Sequence, residues 1–292
     1  MLKQILSTLF LLVLTHSTTA QEFGDEAYAV LMSTFMYDES YPLNPRIAGV
    51  AESDGISYQR VVLDSFHGGA VPGILSAPQK GSKPFPVVML LHGLNHDKES
   101  WLKDESTHGS QITRGLLAKG YAVMALDAQY HGDRAVYNDY IDPGEMVFRR
   151  GWVIRYKDLV TQTIIDYRRA IDYLGTRDEF DLNRVGIVGY SMGGHMTFLL
   201  AASDPRIKAV VACVIPETAG LLIEASTFVR SLEKTPLLMM MARKDQFYTV
   251  ESAQKMFDSI PGKNKDLRFF ESGHSLPPEY APQVVDWLAE TL

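Results

Sequence analysis

The sequence predicts an α/β fold: a mostly parallel central sheet of about eight strands, antiparallel at its N-terminal end, with helices on both faces. Three observations carry this. Short, nearly all-apolar runs alternate with helical patterns from residue 86 to the end, as in a parallel sheet covered on both sides. Two period-2 segments precede them. Composition is that of a globular chain, with 46% hydrophobic and 22% charged residues among 292, enough for one substantial core.

The elements follow in order. Met1-Leu2-Lys3, an apolar run from Ile5 to Leu14 and the small exit Thr18-Thr19-Ala20 read as a secretory signal peptide (residues 1–20) cleaved after Ala20. The run is short for a membrane span, which needs about 20 residues. The expected location is therefore periplasmic or extracellular, without a stable membrane anchor. Residues 21–57 are read as an N-terminal extension packing on the core, with a helix near Asp25 to Met36 and then an irregular, proline-containing stretch.

Residues 58–292 form the expected main domain. "YQRVVLDSF" and "AVPGILSAP" alternate as an antiparallel pair around His67-Gly68-Gly69. "PFPVVMLLHG" suits a strand buried on both faces. Further strands are read at 121–127, 184–190, 207–215, 236–242 and 267–272. Helices are read at Ser110 to Lys119, Lys157 to Leu174, Met192 to Ala202, Glu251 to Ser259 and Pro282 to Leu292. Residues 129–156 break the alternation and read as a lid insertion with several aromatic and charged side chains.

Charge excludes some functions. The formal net charge is −7, and removing residues 1–20 takes away Lys3 and makes it more negative. An acidic chain is a poor partner for nucleic acid, which needs a basic face. The single cysteine, Cys213, cannot form an intramolecular disulfide and lies in the strand-like "KAVVACVI".

Chemistry concentrates at strand ends. Gly189-Tyr190-Ser191-Met192-Gly193-Gly194 joins an apolar strand to a helix. Glycines let such a turn close, so the serine side chain is pushed out beside the helix N-terminus and its free N–H groups. A serine hydroxyl needs a base, and the base an orienting acid. His274 follows the last strand, and Asp245 follows the strand at 236–242. Both lie at carboxyl ends of strands, where α/β sheets gather function. Glu217, after the preceding strand, is the competing acid.

His92 and His96 are four apart, but a loop, not a helix, surrounds them, so no metal site is read there. His195 reads as a structural hydrogen-bonding residue. For His131 and Asp133 two readings stay open, pocket lining or loop stitching. Arg134, Arg149, Arg150 and Arg155 read as a solvated basic face.

With "GYSMGG", "LLHGLNHDKESW", "RKDQFYTV" and "SGHS" in place, residues 58–292 resemble the α/β-hydrolase superfamily. Within it they are similar to the dienelactone hydrolase and small serine esterase group, including a "YHGDR" stretch at Tyr130 to Arg134. The resemblance implies an α/β-hydrolase fold and cleavage of carboxylic esters, on small molecules or polysaccharides, through an acyl-enzyme on Ser191. It implies an oxyanion hole from the backbone N–H groups of Met192 and Leu94. His92, Gln129, Tyr130 and His131 become possible pocket residues. This chemistry calls for no cofactor and no metal. A peptidase or acyltransferase would use the same residues. A non-catalytic binding module would be expected to lack one of the three, and all three are present.

Overall fold

A computed structural model describes residues 24–105, 107–218 and 221–292; the expected signal peptide lies outside the described residues. Among the described residues nine strands form one sheet: β1 (Arg46–Ser53), β2 (Ile56–Asp64), β3 (Ala70–Pro78), β4 (Phe85–Leu91), β5 (Ala122–Leu126), β6 (Phe180–Tyr190), β7 (Ile207–Cys213), β8 (Leu237–Ala242) and β9 (Lys265–Phe270). Their spatial order is β1-β2-β3-β5-β4-β6-β7-β8-β9. Pairs from β1 to β3, and β3 with β5, are antiparallel; all the others are parallel.

The ninth strand is β1, in the stretch read as irregular. Its signal was present. Asp54-Gly55 joins β1 to β2 as a two-residue loop, with Ser53 opposite Ile56 and both loop residues at positive φ. That is the backbone of a tight hairpin turn, which Asp-Gly favours. β1 is almost wholly exposed, so it lacks the alternating burial by which strands are recognised.

Among the described residues seven α-helices accompany the sheet: α1 (Asp25–Ser33), α2 (Gly109–Ala118), α3 (Val153–Gly175), α4 (Met192–Ser203), the single turn α5 (Ala225–Phe228), α6 (Val250–Ser259) and α7 (Tyr280–Thr291). α3 and α4 pack together, and α4 meets α5, while α2 packs against α7. Helices thus cover both sheet faces. β4, β5 and β8 are buried along their whole length. This explains their unbroken apolar sequences: a strand covered on both faces has no wet side to mark with polar residues. None of the described helices is long and apolar enough to cross a membrane.

The N-terminal segment is anchored at several points, among them Phe35 and the backbone around Tyr41. Phe35 is fully buried, edge-on to Phe228 at 5.7 Å. The buried Arg169 guanidinium of α3 donates to the carbonyls of Tyr41, Pro42 and Asp64. These bonds satisfy backbone carbonyls at the end of β2 and in the segment before β1.

The sheet order fixes where the site lies. From β4 the chain crosses to β5 on one side, and β6 then takes the place on the other side of β4. Crossovers that diverge open a crevice at the carboxyl ends of the diverging strands. The loops after β4 and β6 line that crevice, and they carry His92 to Leu94 and Ser191.

Candidate active site

Ser191 sits between β6 and α4 with φ 57° and ψ −117°. A non-glycine residue there is strained by roughly 1–3 kcal/mol, so the surroundings must enforce it. They do so by close approach. A Cβ on Gly189 would lie 2.1 Å from the Gly193 carbonyl oxygen, and one on Gly193 would lie 2.0 Å from that of Leu91. Only glycine fits at either position. The Ser191 N–H donates to the Cys213 carbonyl at 2.9 Å, and its carbonyl accepts from the His195 N–H at 3.0 Å. The turn is thereby bonded to β7 on one side and continuous with α4 on the other.

The structure brings Ser191, His274 and Asp245 together from three separate strand ends. Ser191 Oγ is 2.8 Å from His274 Nε2, and His274 Nδ1 is 2.7 Å from Asp245 Oδ2. A carboxylate can only accept, so Nδ1 carries the proton and Nε2 faces the serine hydroxyl as an acceptor. The Asp245 side chain is fully buried; that of His274 is 21% exposed. Asp245 Oδ1 accepts the Phe247 N–H at 2.9 Å. Glu217 is exposed, and the carboxylate on His274 is that of Asp245. The Phe247 ring meets His274 edge-on at 4.7 Å, and Phe148 of the insertion stacks on Phe247 at 6.0 Å. The sequence marked neither phenylalanine, because the sequence does not show which residues fold beside the imidazole.

The turn after β4 abuts the serine. A Cβ on Gly93 would lie 3.3 Å from both Ser191 Cβ and the Tyr190 carbonyl oxygen, so glycine lets this backbone come alongside the hydroxyl. Leu94 follows in the same turn, and Met192 opens α4. His92 holds the turn from behind. Its Nε2 accepts the Ala128 N–H at 3.0 Å, so Nδ1–H donates to the Gly93 carbonyl at 2.8 Å. Both ring nitrogens are occupied, which leaves none for a metal. Asn95 adds a second tie: its Oδ1 accepts the Gly144 N–H at 2.7 Å, bonding the turn to the insertion.

His92 and His131 pack ring edge to face at 5.0 Å, each only 2% exposed. They buttress the turn from inside the protein instead of lining an open pocket. Gln129 and Tyr130 are also buried. The Gln129 N–H donates to Thr163 Oγ1, and Tyr130 takes a positive φ of 70° with its ring under Arg155.

Ion pairs stitch the insertion down, and Asp133 takes part in one of them. The Lys98 ammonium reaches Asp127 and Asp133, at 2.8 Å each. Burial works against its charge, but the two carboxylates outweigh that and raise its pKa. Arg134 corrects the expectation of a solvated basic face. It is 1% exposed and pairs with the equally buried Asp166 at 2.8 Å, while Asp166 accepts from the Ser65 hydroxyl. Arg150 pairs with Glu145 and lies over Trp152. The insertion is shorter than read, since α3 begins at Val153.

His195 is fully buried, donating Nε2–H to the Ile223 carbonyl at 2.5 Å. Burial lowers the pKa of His92 and His195 to about 4 and that of His131 to about 3. These rings stay neutral when folded and protonate near 6.5 when unfolded. Stability from them is complete above pH 6.5 and is lost as pH falls toward 4, because the unfolded chain then binds protons that the folded chain refuses. Three such groups give a slope of roughly 4 kcal/mol per pH unit near pH 5. Urea unfolding is expected to show a much lower midpoint at pH 5 than at pH 7.5. Equal midpoints would contradict the buried neutral state.

Comparison with known proteins places this geometry in context. A sequence model of the dienelactone hydrolase family matches residues 71–282. Among curated proteins, the "Putative hydrolase YtaP" of Bacillus subtilis (strain 168) is 27% identical over 178 residues, 58% of this chain and 56% of that protein. The chain thus spans little more than half the length of that relative. A "Putative carboxymethylenebutenolidase" of Yersinia pestis is 24% identical over 79% of this chain and 83% of its own. Among solved structures, a cold-adapted esterase from an Arctic intertidal metagenomic library superposes with a TM-score of 0.66 at 24% identity, covering 84% of this chain and 98% of that one.

Proposed function

The chain belongs to the dienelactone hydrolase family, and from that premise we propose that it hydrolyses carboxylic esters through an acyl-enzyme on Ser191. The observation that carries this reading is the continuous hydrogen-bonded line Asp245–His274–Ser191, at the mouth of the crevice. His274 Nε2 takes the serine proton as Oγ attacks the ester carbonyl. The tetrahedral oxyanion forms beside the backbone N–H groups of Met192 and Leu94, the donors we assign to it; such donors contribute about 3–4 kcal/mol each. The C–O bond to the alcohol breaks as His274 returns the proton to the leaving oxygen. Water then attacks the acyl-enzyme with His274 as base and regenerates the serine hydroxyl. The partial exposure of His274 supports water as the second nucleophile.

The substrate we assign is an ester of a small molecule or of a polysaccharide. Export of the protein is part of the same reading and rests on residues 1–20; the secreted chain should begin at Gln21 in N-terminal sequencing. The test of the activity is a fluorophosphonate probe beside a chain-length series of p-nitrophenyl esters and an acetylated polysaccharide. We expect a single label on Ser191 and turnover of at least one ester class. An unlabelled serine with no turnover would overturn the assignment.

A further inference from the structure

The residue before the nucleophile makes two hydrogen bonds that the reaction scheme does not use. Tyr190 is the last residue of β6 and is 4% exposed. Its hydroxyl donates to the His274 carbonyl at 2.8 Å and accepts the Leu276 N–H at 2.9 Å. One oxygen thus grips the histidine loop on both sides of Ser275. The loop between β9 and α7 has no regular structure of its own, so its place depends on such ties. Its other ties include a bond from the Lys244 N–H to the Ser272 carbonyl, the contact with Phe247 and the bonds of the His274 ring to Asp245 and Ser191. Tyr190 ties the backbone of the loop, on either side of Ser275, to the strand end that bears Ser191.

We propose that Tyr190 is a positioning residue for the Ser191–His274 pair, its hydroxyl fixing the histidine backbone relative to the serine. This rests on the serine hydrolase reading. The path is short: Ser191 Cα, one peptide bond, the Tyr190 ring, its hydroxyl, the His274 carbonyl. A rigid aromatic side chain sets that span, and proton transfer between Oγ and Nε2 needs it held within a fraction of an ångström. Burial raises the phenol pKa, so the hydroxyl keeps its proton, and its donor role, through neutral and mildly alkaline pH.

Tyr190→Phe removes the hydroxyl and keeps the ring. Tyr280→Phe is the matched control, since Tyr280 is a buried neighbour with ring centroids 6.0 Å away whose hydroxyl donates to the Thr107 carbonyl, outside the histidine loop. The readouts are fluorophosphonate inactivation rate per folded molecule, the kcat and KM of a p-nitrophenyl ester, and the melting temperature. We expect Tyr190→Phe to lower both the inactivation rate and kcat by about 10- to 100-fold, with KM changed less than twofold. Tyr280→Phe should lower the melting temperature comparably and keep both rates within twofold. Wild-type rates in folded Tyr190→Phe, or equal rate losses in both variants, would overturn the positioning role. A wild-type protein that resists the probe removes the hydrolase reading itself, which separates the two failures.

Discussion

Ser191→Ala is expected to lower kcat on a p-nitrophenyl ester by about 10⁶-fold while leaving the fold intact. The loss is large because the substitution removes the atom that forms the covalent bond, and no other hydroxyl occupies its place opposite His274 Nε2. The fold survives for local reasons. The serine side chain makes one hydrogen bond, to His274. The bonds that hold the turn, to the Cys213 carbonyl and from the His195 N–H, are backbone bonds, and alanine keeps them. The φ of 57° is as strained for alanine as for serine. The melting temperature should therefore move by no more than about 2 °C, a change worth about 1 kcal/mol in a chain of this size. Activity in the variant within tenfold of the wild type would remove Ser191 from the chemistry.

Asp245→Asn should lower kcat by about 10⁴-fold, with KM nearly unchanged. The hydrogen bonds around the carboxylate say why an isosteric change does so much. Oδ1 accepts the Phe247 N–H and Oδ2 faces His274 Nδ1. In the asparagine variant the amide oxygen must stay on Phe247, because an NH₂ group there would meet another donor. The NH₂ group then faces Nδ1, which has to become an acceptor. The imidazole proton moves to Nε2, opposite the serine hydroxyl, and the base is lost by tautomer alone. Glu217→Gln is the companion measurement and should keep wild-type kcat. The reverse pattern, with Glu217→Gln inactive and Asp245→Asn active, would move the acid to the end of β7.

Much of this site could be read from the chain before folding. Gly189, Ser191 and Gly193 announce themselves because a strand-to-helix turn this tight tolerates little else. Asp245 and His274 could be found because each follows an apolar strand by a few residues. The lid charges were misread for the opposite reason. Arg134 looks like any surface arginine, and only the approach of Asp166 from α3, 32 residues later, makes burying it possible. An ion is buried when a partner arrives from another element, and composition does not record which partner arrives. Tyr190 and Phe247 escaped notice similarly: one reads as a strand residue, the other as a loop aromatic.

The sequence by itself determined the parallel α/β architecture, the elbow with its serine and the histidine after the last strand, because strand burial and turn sterics are local and leave a pattern along the chain. Tertiary structure alone decided that Asp245 and not Glu217 meets the imidazole, and that His92 and His131 pack behind the turn. Those outcomes depend on distances between elements far apart in the chain, and hydrogen bonds and ion pairs act only over the few ångströms that folding closes.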